Sequence, residues 1–184
     1  LSPDPETRGL LRGLHAESVQ GDAACVDLFA PLGVKTEFTR EGACLTKQNA
    51  PVSALYQRDF SATPDLAQTL VVTCALLRRA FRFTGLASLH IKETDRIAAL
   101  TQELQQFGVQ LTSSALGTLQ YVPDTPSQPL LDGGGVPQIH TYDDHRMALA
   151  FAPAALVTGA VEIHHPEVIS KSYPHYWDDL RRLG

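Results

Sequence analysis

The fold is decided by the stretch LAQTLVVTCALL at residues 66–77. Its apolar residues cover every side of the predicted helix, which is typical of a helix buried on all faces. A second stretch of this kind, MALAFAPAAL, lies at residues 147–156 and contains Pro153. Because proline removes a backbone hydrogen bond and clashes with the preceding turn, we expect a kink or an early end at this point.

Three other predicted helices are apolar on one side only and should lie outside the buried pair. One follows Asp22 and ends at Gly33, with Pro31 near its end; one lies between Thr94 and Gly108; and one runs from about residue 174 to 183. In the middle helix, Thr94 is predicted as the N-cap and Gly108 as the C-terminal stop. The apolar residues at helical spacing in that helix are Ile97, Leu100, Leu104 and Phe107.

An internal repeat organises these helices. Predicted strand pairs follow the first two outer helices, at residues 34–40 with 43–47 and at 109–113 with 118–122. Sliding the chain on itself by 79 residues superposes the two buried helices and places Asp65 on Asp144 and Lys92 on Lys171. The predicted fold is therefore α/β (α+β), built from repeated βαβαββ units with inner buried helices, outer amphipathic helices and sheets. The outer helix after Asp22 has no inner helix before it, so the first unit is predicted to be incomplete.

Composition excludes two classes of function. The chain has 184 residues, a formal net charge of -5 and 43% hydrophobic residues. A surface that binds nucleic acid usually gathers a basic excess, so no nucleic-acid partner is predicted. No apolar run is long enough to span a bilayer, so no membrane association is predicted.

The start of the chain and the cysteines give further expectations. The only methionine is Met147, so the sequence as it stands does not begin at a translation start, and we expect more sequence upstream. Residues 1–17, which include Pro3 and Pro5, are interpreted as a connector, and residues 18–184 as the carboxy-terminal part of one domain. The odd number of scattered thiols favours a reducing compartment and hence a cytoplasmic protein; these are Cys25, Cys44 and Cys74.

Candidate anion-binding residues stand before helices. Lys92 and Lys171 each follow a predicted strand and precede a helix, while Arg96 and Arg146 fall in first turns. Helix amino termini offer unpaired N–H groups and a positive dipole end, and arginine adds a planar fork that matches carboxylate. A solvated first turn is the alternative interpretation for residues 92–96.

Other polar residues have simpler interpretations. On local grounds Asp65 and Asp144 are predicted to cap the two buried helices, although a capping carboxylate can also be catalytic. His164 and His165 face opposite sides of a predicted strand, and no other ligand stands at a suitable spacing. No metal site and no cofactor are predicted.

Three ordered motifs in this chain resemble those of 5-enolpyruvylshikimate-3-phosphate (EPSP) synthases, the 3-phosphoshikimate 1-carboxyvinyltransferases. They are IKETDR at residues 91–96, TYDDHRMA at 141–148 and KSYP at 171–174, and the segments QGD at 20–22 and PD at 64–65 fit the same family. The resemblance runs from about residue 18 to the end. The related UDP-N-acetylglucosamine enolpyruvyl transferases share the fold but lack the KETDR run. The resemblance implies two similar domains closing over shikimate 3-phosphate and phosphoenolpyruvate.

The resemblance also implies roles for single residues. Asp65 would take the proton from the shikimate 5-hydroxyl, and Lys92 and Glu93 lie where proton handling is expected. Arg96 and Arg146 match residues that hold the phosphoenolpyruvate carboxylate, and Lys171 matches one near its phosphate. Ser88 stands where many members of the family have asparagine, which removes one expected contact to shikimate phosphate.

Three functions remain open from the sequence. The chain would supply part of an enolpyruvyl transferase site and would be inactive alone, because the family's amino-terminal part and second domain have no counterpart here. Alternatively, it would be a module that binds small anions without turnover. In a purely structural alternative, the charged helix starts are ordinary caps, and this alternative fails if those residues converge on one concave face.

Overall fold

The computed structural model describes residues 8–49, 55–123 and 135–183. The chain divides into two compact units, Leu1–Tyr56 and Gln57–Gly184. Its strands are β1 (Arg8–Arg12), β2 (Val34–Phe38), β3 (Gly42–Lys47), β4 (Tyr56–Asp59), β5 (Phe81–Thr84), β6 (Thr112–Ser114), β7 (Thr118–Tyr121), β8 (Gln138–Ile139) and β9 (Glu162–Ile163). Its α-helices are α1 (Cys25–Phe29), α2 (Ala67–Leu76), α3 (Arg96–Gln105), α4 (His145–Phe151), α5 (Ala155–Thr158) and α6 (Tyr176–Leu183).

The first unit carries the predicted outer helix and hairpin. Helix α1 continues into a 3-10 turn that contains Pro31, and Gly33 ends it in the left-handed conformation at a φ of 85°. Strands β2 and β3 form the predicted antiparallel pair. At Gly42 the φ is 148° and an added Cβ would meet the Leu11 carbonyl, so this position admits only glycine.

The segment predicted as a connector contains regular structure. Residues 8–12 form β1, which pairs antiparallel with β3 and completes a sheet of order β1-β3-β2. Its sequence, RGLLR, has two adjacent leucines and lacks the alternation of apolar and polar residues on which strand prediction depends, and its five residues are all exposed. The division into a connector over residues 1–17 and a domain over 18–184 otherwise stays a prediction.

The second unit repeats the predicted order of elements. From β4 the order is strand, inner helix α2, strand β5, outer helix α3 and the strands β6 and β7. The order then restarts with β8, α4, β9 and α6, as the shift of 79 residues predicts. In the described part of this unit the strands form two sheets, with orders β4-β5-β7-β6 and β8-β9.

Burial separates inner from outer helices as predicted. Helix α2 is buried at eight of its ten positions and packs against α4. Helix α3 is buried on one face, and its predicted apolar stripe, Ile97, Leu100, Leu104 and Phe107, is at most 3% exposed. Burying an aliphatic or aromatic side chain of this size contributes roughly 1.5–3 kcal/mol, so the stripe fixes which side of α3 faces the core.

Two predicted helix starts differ from the structure, and the predicted break at Pro153 is confirmed. The N-cap of α3 is Asp95, not Thr94, because the Asp95 carboxylate accepts a hydrogen bond from the Ala98 N–H at 3.0 Å. The second inner helix is not continuous: a 3-10 turn containing Pro153 separates α4 from α5. The last helix begins at Tyr176, two residues after the predicted start.

Candidate functional site

A buried arginine joins the starts of three helices. Arg96, the first residue of α3, has a side chain that is 1% exposed. Its Nε donates to Asp144 Oδ2 at 2.6 Å, its Nη1 to Asp65 Oδ1 at 2.8 Å and its Nη2 to Glu93 Oε2 at 2.7 Å. Charge-assisted bonds to three carboxylates compensate for the loss of water around the guanidinium. Arg96 therefore holds the starts of α2, α3 and α4 together.

Asp65 is a solvent-exposed carboxylate that lies among three cations. It lies in the 3-10 turn Pro64–Leu66 before α2, and its side chain is 41% exposed. Besides Arg96, it has Lys92 Nζ at 3.3 Å and Arg146 Nη2 at 3.7 Å. Arg146 Nη1 also donates to the Asp65 backbone carbonyl at 3.2 Å. An accessible carboxylate thus faces three positive side chains.

The charges around Asp65 control its protonation. Partial burial of the Asp65 carboxyl raises its pKa, but the charges of Arg146, Lys92 and Arg96, with a hydrogen bond from Lys92, outweigh burial and leave the pKa lowered. Asp65 is therefore ionised at neutral pH. An ionised carboxylate only accepts hydrogen bonds, so Asp65 can receive a proton from a hydroxyl placed against it.

The capping interpretation holds for one aspartate and not for the other. Asp144 caps α4: its Oδ1 accepts from the Arg146 N–H at 2.9 Å, and its side chain is 0% exposed. Among the described residues, neither the 3-10 turn before α2 nor α2 itself receives a side-chain cap, so Asp65 does not have the predicted capping role.

The two lysines related by the repeat contact inner-helix starts. Lys92 directly follows the 3-10 segment Ala87–Ile91 and reaches Asp65, before α2. Lys171 ends the 3-10 segment Pro166–Lys171, and its Nζ donates to the Asp143 carbonyl at 3.4 Å, before α4. Lys171 thus reaches the network of Asp65, Glu93, Arg96 and Asp144 through the backbone of the α4 start.

The sequence did not single out two features beside the network. Tyr142 and Asp143, directly before Asp144, both have positive φ, at 53° and 56°. Glu103, on the buried face of α3, accepts a hydrogen bond from the Tyr142 hydroxyl at 2.6 Å. Glu103 could have been identified from the sequence, because it is a charged residue within the apolar stripe of α3, seven positions after Arg96. Consecutive left-handed residues other than glycine leave no such signal in one sequence.

The described residues contain neither a metal-binding cluster nor a membrane-spanning helix. Within residues 8–49, 55–123 and 135–183, no group of three or more histidines, cysteines or acidic residues is placed to hold a metal ion. In the same ranges, none of the helices combines the length and the apolar character needed to cross a membrane. The carboxylates that converge at the helix starts are held by a guanidinium instead.

Comparisons with known proteins agree on one family. The family model for EPSP synthase (3-phosphoshikimate 1-carboxyvinyltransferase) matches residues 7–180. A 3-phosphoshikimate 1-carboxyvinyltransferase of Bacteroides fragilis is 49% identical over 184 residues, which is 100% of this chain and 43% of the relative. The corresponding protein of Cellvibrio japonicus is 36% identical over 168 residues, or 91% of this chain and 37% of the relative.

A solved structure confirms the predicted fold. The EPSP synthase from Acinetobacter baumannii superposes with a TM-score of 0.76 at 20% sequence identity, over 97% of this chain and 42% of that one. This chain thus spans about two fifths of the length of the relatives that it matches. From its motifs, its repeat and these matches, the chain belongs to the EPSP synthase family.

Proposed function

We propose that this chain, within a whole enzyme, supplies part of the site that transfers the enolpyruvyl group of phosphoenolpyruvate to the 5-hydroxyl of shikimate 3-phosphate. The observation that carries the proposal is Asp65, an ionised and accessible carboxylate among Lys92, Arg96 and Arg146. Such a site combines a base with fixed positive charge, and a hydroxyl that adds to a highly anionic reactant needs both.

The reaction needs one base and one acid. Asp65 accepts the proton of the 5-hydroxyl as the hydroxyl oxygen bonds to C2 of phosphoenolpyruvate. At the same stage the C3 methylene receives a proton. The tetrahedral adduct then breaks its C2–O bond to phosphate and loses a proton from the methyl group, which gives the enol ether and inorganic phosphate. Lys92 and Glu93, each within bonding distance of Asp65 or Arg96, are proposed for the proton transfers at carbon.

The cationic side chains are proposed to have different roles in binding phosphoenolpyruvate. The N–H donors of Arg96 are largely occupied by three carboxylates. We therefore propose that Arg96 positions Asp65 and supplies positive charge to the site, in addition to its role towards the phosphoenolpyruvate carboxylate. Arg146 is held more loosely, at 3.2 and 3.7 Å from Asp65 atoms, and is the stronger candidate for direct contact with that carboxylate. Lys171 is proposed to contact the phosphate.

The proposal is tested by building a whole enzyme. In the Bacteroides fragilis relative, the matching segment is replaced by this chain, and release of phosphate from both substrates is measured. We expect turnover by the chimera and none by the 184-residue chain alone, since the chain covers only 43% of that relative. A folded chimera that binds both substrates without turnover would contradict the proposal, as would turnover by the chain alone.

A second candidate is a small-anion module without turnover. It is favoured by the partial exposure of Lys92 and Arg146, whose side chains are 32% and 30% exposed. Calorimetry of the 184-residue chain with phosphoenolpyruvate tests this function independently, and we expect weak binding. The purely structural alternative is weakened, because the charged helix starts converge within bonding distance.

A further inference from the structure

Glu103 is a buried carboxylate that the proposed reaction does not use. It lies on α3 with 1% exposure, and among the described residues it has no cationic partner. Its three hydrogen bonds come from neutral donors: the Tyr142 hydroxyl at 2.6 Å, the His140 backbone N–H at 3.3 Å and the Gln106 side-chain amide at 3.0 Å. A buried carboxylate without a counter-ion is costly and calls for a specific role.

Those bonds tie α3 to the chain segment that leads into α4. Gln106 adds to them, because its amide donates to the Gln138 carbonyl at 2.7 Å and accepts from the Gln138 N–H at 3.0 Å. The side chain of Gln106 thus pairs with β8 as a neighbouring strand would. Glu103, near the end of α3, and Gln106, directly after it, therefore fix the turn and β8 respectively.

That turn is strained and leads directly to the charged network. Tyr142 and Asp143 adopt left-handed conformations that cost of order 1–3 kcal/mol each when the residue is not glycine. The Asp144 N–H donates to the Thr141 carbonyl at 2.9 Å and closes the turn. The next residues are Asp144, which binds Arg96, and Arg146, which faces Asp65. Such a turn persists only where its surroundings hold it.

We infer that Glu103 is a positioning residue: through Tyr142 and His140 it holds the left-handed turn that directs Asp144 towards Arg96 and Arg146 towards Asp65. Burial, the hydrogen bond to Glu103 and its negative charge all raise the pKa of Tyr142, so the phenol stays protonated and keeps donating. A carboxylate suits this place because its oxygens accept all three hydrogen bonds. The structural part of the inference stands alone, and its consequence for turnover rests on the proposed function.

The substitution Glu103→Gln tests the inference. A glutamine keeps the size of the side chain but replaces an acceptor by an NH2 group that faces donors. Tyr142→Phe removes only the hydroxyl that donates to Glu103, and it tests the same connection if Glu103→Gln fails to fold. Thr101→Ala is the matched control, because it removes a side-chain hydrogen bond of α3, to the Ile97 carbonyl at 2.8 Å, without touching the turn.

The first measurement does not depend on any enzymatic activity. In the 184-residue chain, NMR follows the Arg96 Nε–H, which donates to Asp144. We expect this resonance to shift and to exchange faster with solvent in Glu103→Gln and Tyr142→Phe, and to stay unchanged in Thr101→Ala. The double variant should differ little from Glu103→Gln alone, since both changes break one connection. An unmoved Arg96 resonance in both folded single variants would overturn the inference.

The second measurement concerns turnover by the chimera. We expect kcat/KM for phosphoenolpyruvate to fall roughly ten- to a hundredfold in Glu103→Gln, because displacement of a reacting group by about 1 Å has effects of this size. The KM for shikimate 3-phosphate should change much less, and Thr101→Ala should retain activity. If kcat/KM fell equally in Thr101→Ala and Glu103→Gln, Glu103 would have only a structural role. An inactive parent chimera would count against the proposed function, while the NMR result would still decide the positioning role.

Discussion

The starts of α2 and α4 occupy the same place in the repeat but have different environments. Asp65, before α2, is 41% exposed, caps no helix among the described residues and faces three cations. Asp144, before α4, is 0% exposed, caps its helix and binds Arg96. The repeat thus copies the residue type and its position, whereas solvent exposure separates the chemistry of the two carboxylates. The accessible copy can act on a ligand, and the buried copy can only organise the protein.

Removing the negative charge of Asp65, the exposed copy, should have the largest effect, which is on turnover. Asp65→Asn in the chimera is expected to lower kcat by roughly 10²–10⁴, the contribution usual for a general base. The free energy of unfolding should fall by less than the loss of a fully buried ion pair, because Asp65 is 41% exposed and Arg96 keeps its bonds to Glu93 and Asp144. Phosphate release and urea unfolding measure the two quantities. The control is Asp178→Asn, which removes an exposed ion pair on α6. If Asp65→Asn left kcat unchanged, Asp65 would not be the base.

The same substitution in the buried copy should act on stability. Asp144→Asn retains a capping side chain but removes the charge opposite Arg96, which is 1% exposed. Breaking a buried ion pair from one side costs about 3–5 kcal/mol, so we expect a loss of this size in urea unfolding of the 184-residue chain. If Asp65→Asn destabilised the chain as much as Asp144→Asn, exposure would not distinguish the two carboxylates.

Binding of anions should respond in opposite directions to two changes at the exposed copy. Arg146→Gln removes a partly exposed cation and should weaken phosphoenolpyruvate binding by about 1.5–3 kcal/mol, the range for a charged hydrogen bond. Asp65→Asn removes a negative charge beside the same cations and should strengthen binding. Calorimetry on the 184-residue chain measures both, with Arg181→Gln on α6 as control. Weaker binding by Asp65→Asn would mean that the cations do not form the anion site.

The smallest expected effect is a dependence of stability on pH. Because the pKa of Asp65 is lowered on folding, its contribution to stability is complete above the unfolded-state pKa, near the ordinary value of 3.8, and is lost as the pH falls through the folded-state value. The difference in unfolding free energy between the parent chain and Asp65→Asn should therefore shrink as the solution is acidified. A difference that grew below pH 4 would contradict the lowered pKa.

Local patterns predicted the order of elements and the burial of the helices. Apolar coverage identified α2 and α4, and one-sided spacing identified α3, since both depend on residues close in sequence. Boundaries were less accurate where two neighbouring residues could act as caps: Thr94 and Asp95 are both good N-caps, and only the geometry selected Asp95. Strand β1 was missed because its sequence, RGLLR, lacks the alternation of apolar and polar residues.

The site was predicted as a set of residues but not as a network. The motifs placed Asp65, Lys92, Glu93, Arg96 and Arg146 near helix starts, and the structure brings these five together. The link from Arg96 to Asp144 spans 48 residues, and no local pattern reports a contact at that separation. For the same reason Glu103, which reaches Tyr142 across 39 residues, could not be connected to the site.

The position of Arg96 also bears on how the chain folds. Its partners lie 3, 31 and 48 residues away along the sequence, and its guanidinium leaves water only when all of them are in place. A partly assembled state would bury this charge without compensation, and such a state is high in free energy. We therefore expect α2, α3 and α4 to dock in one cooperative step, late in folding.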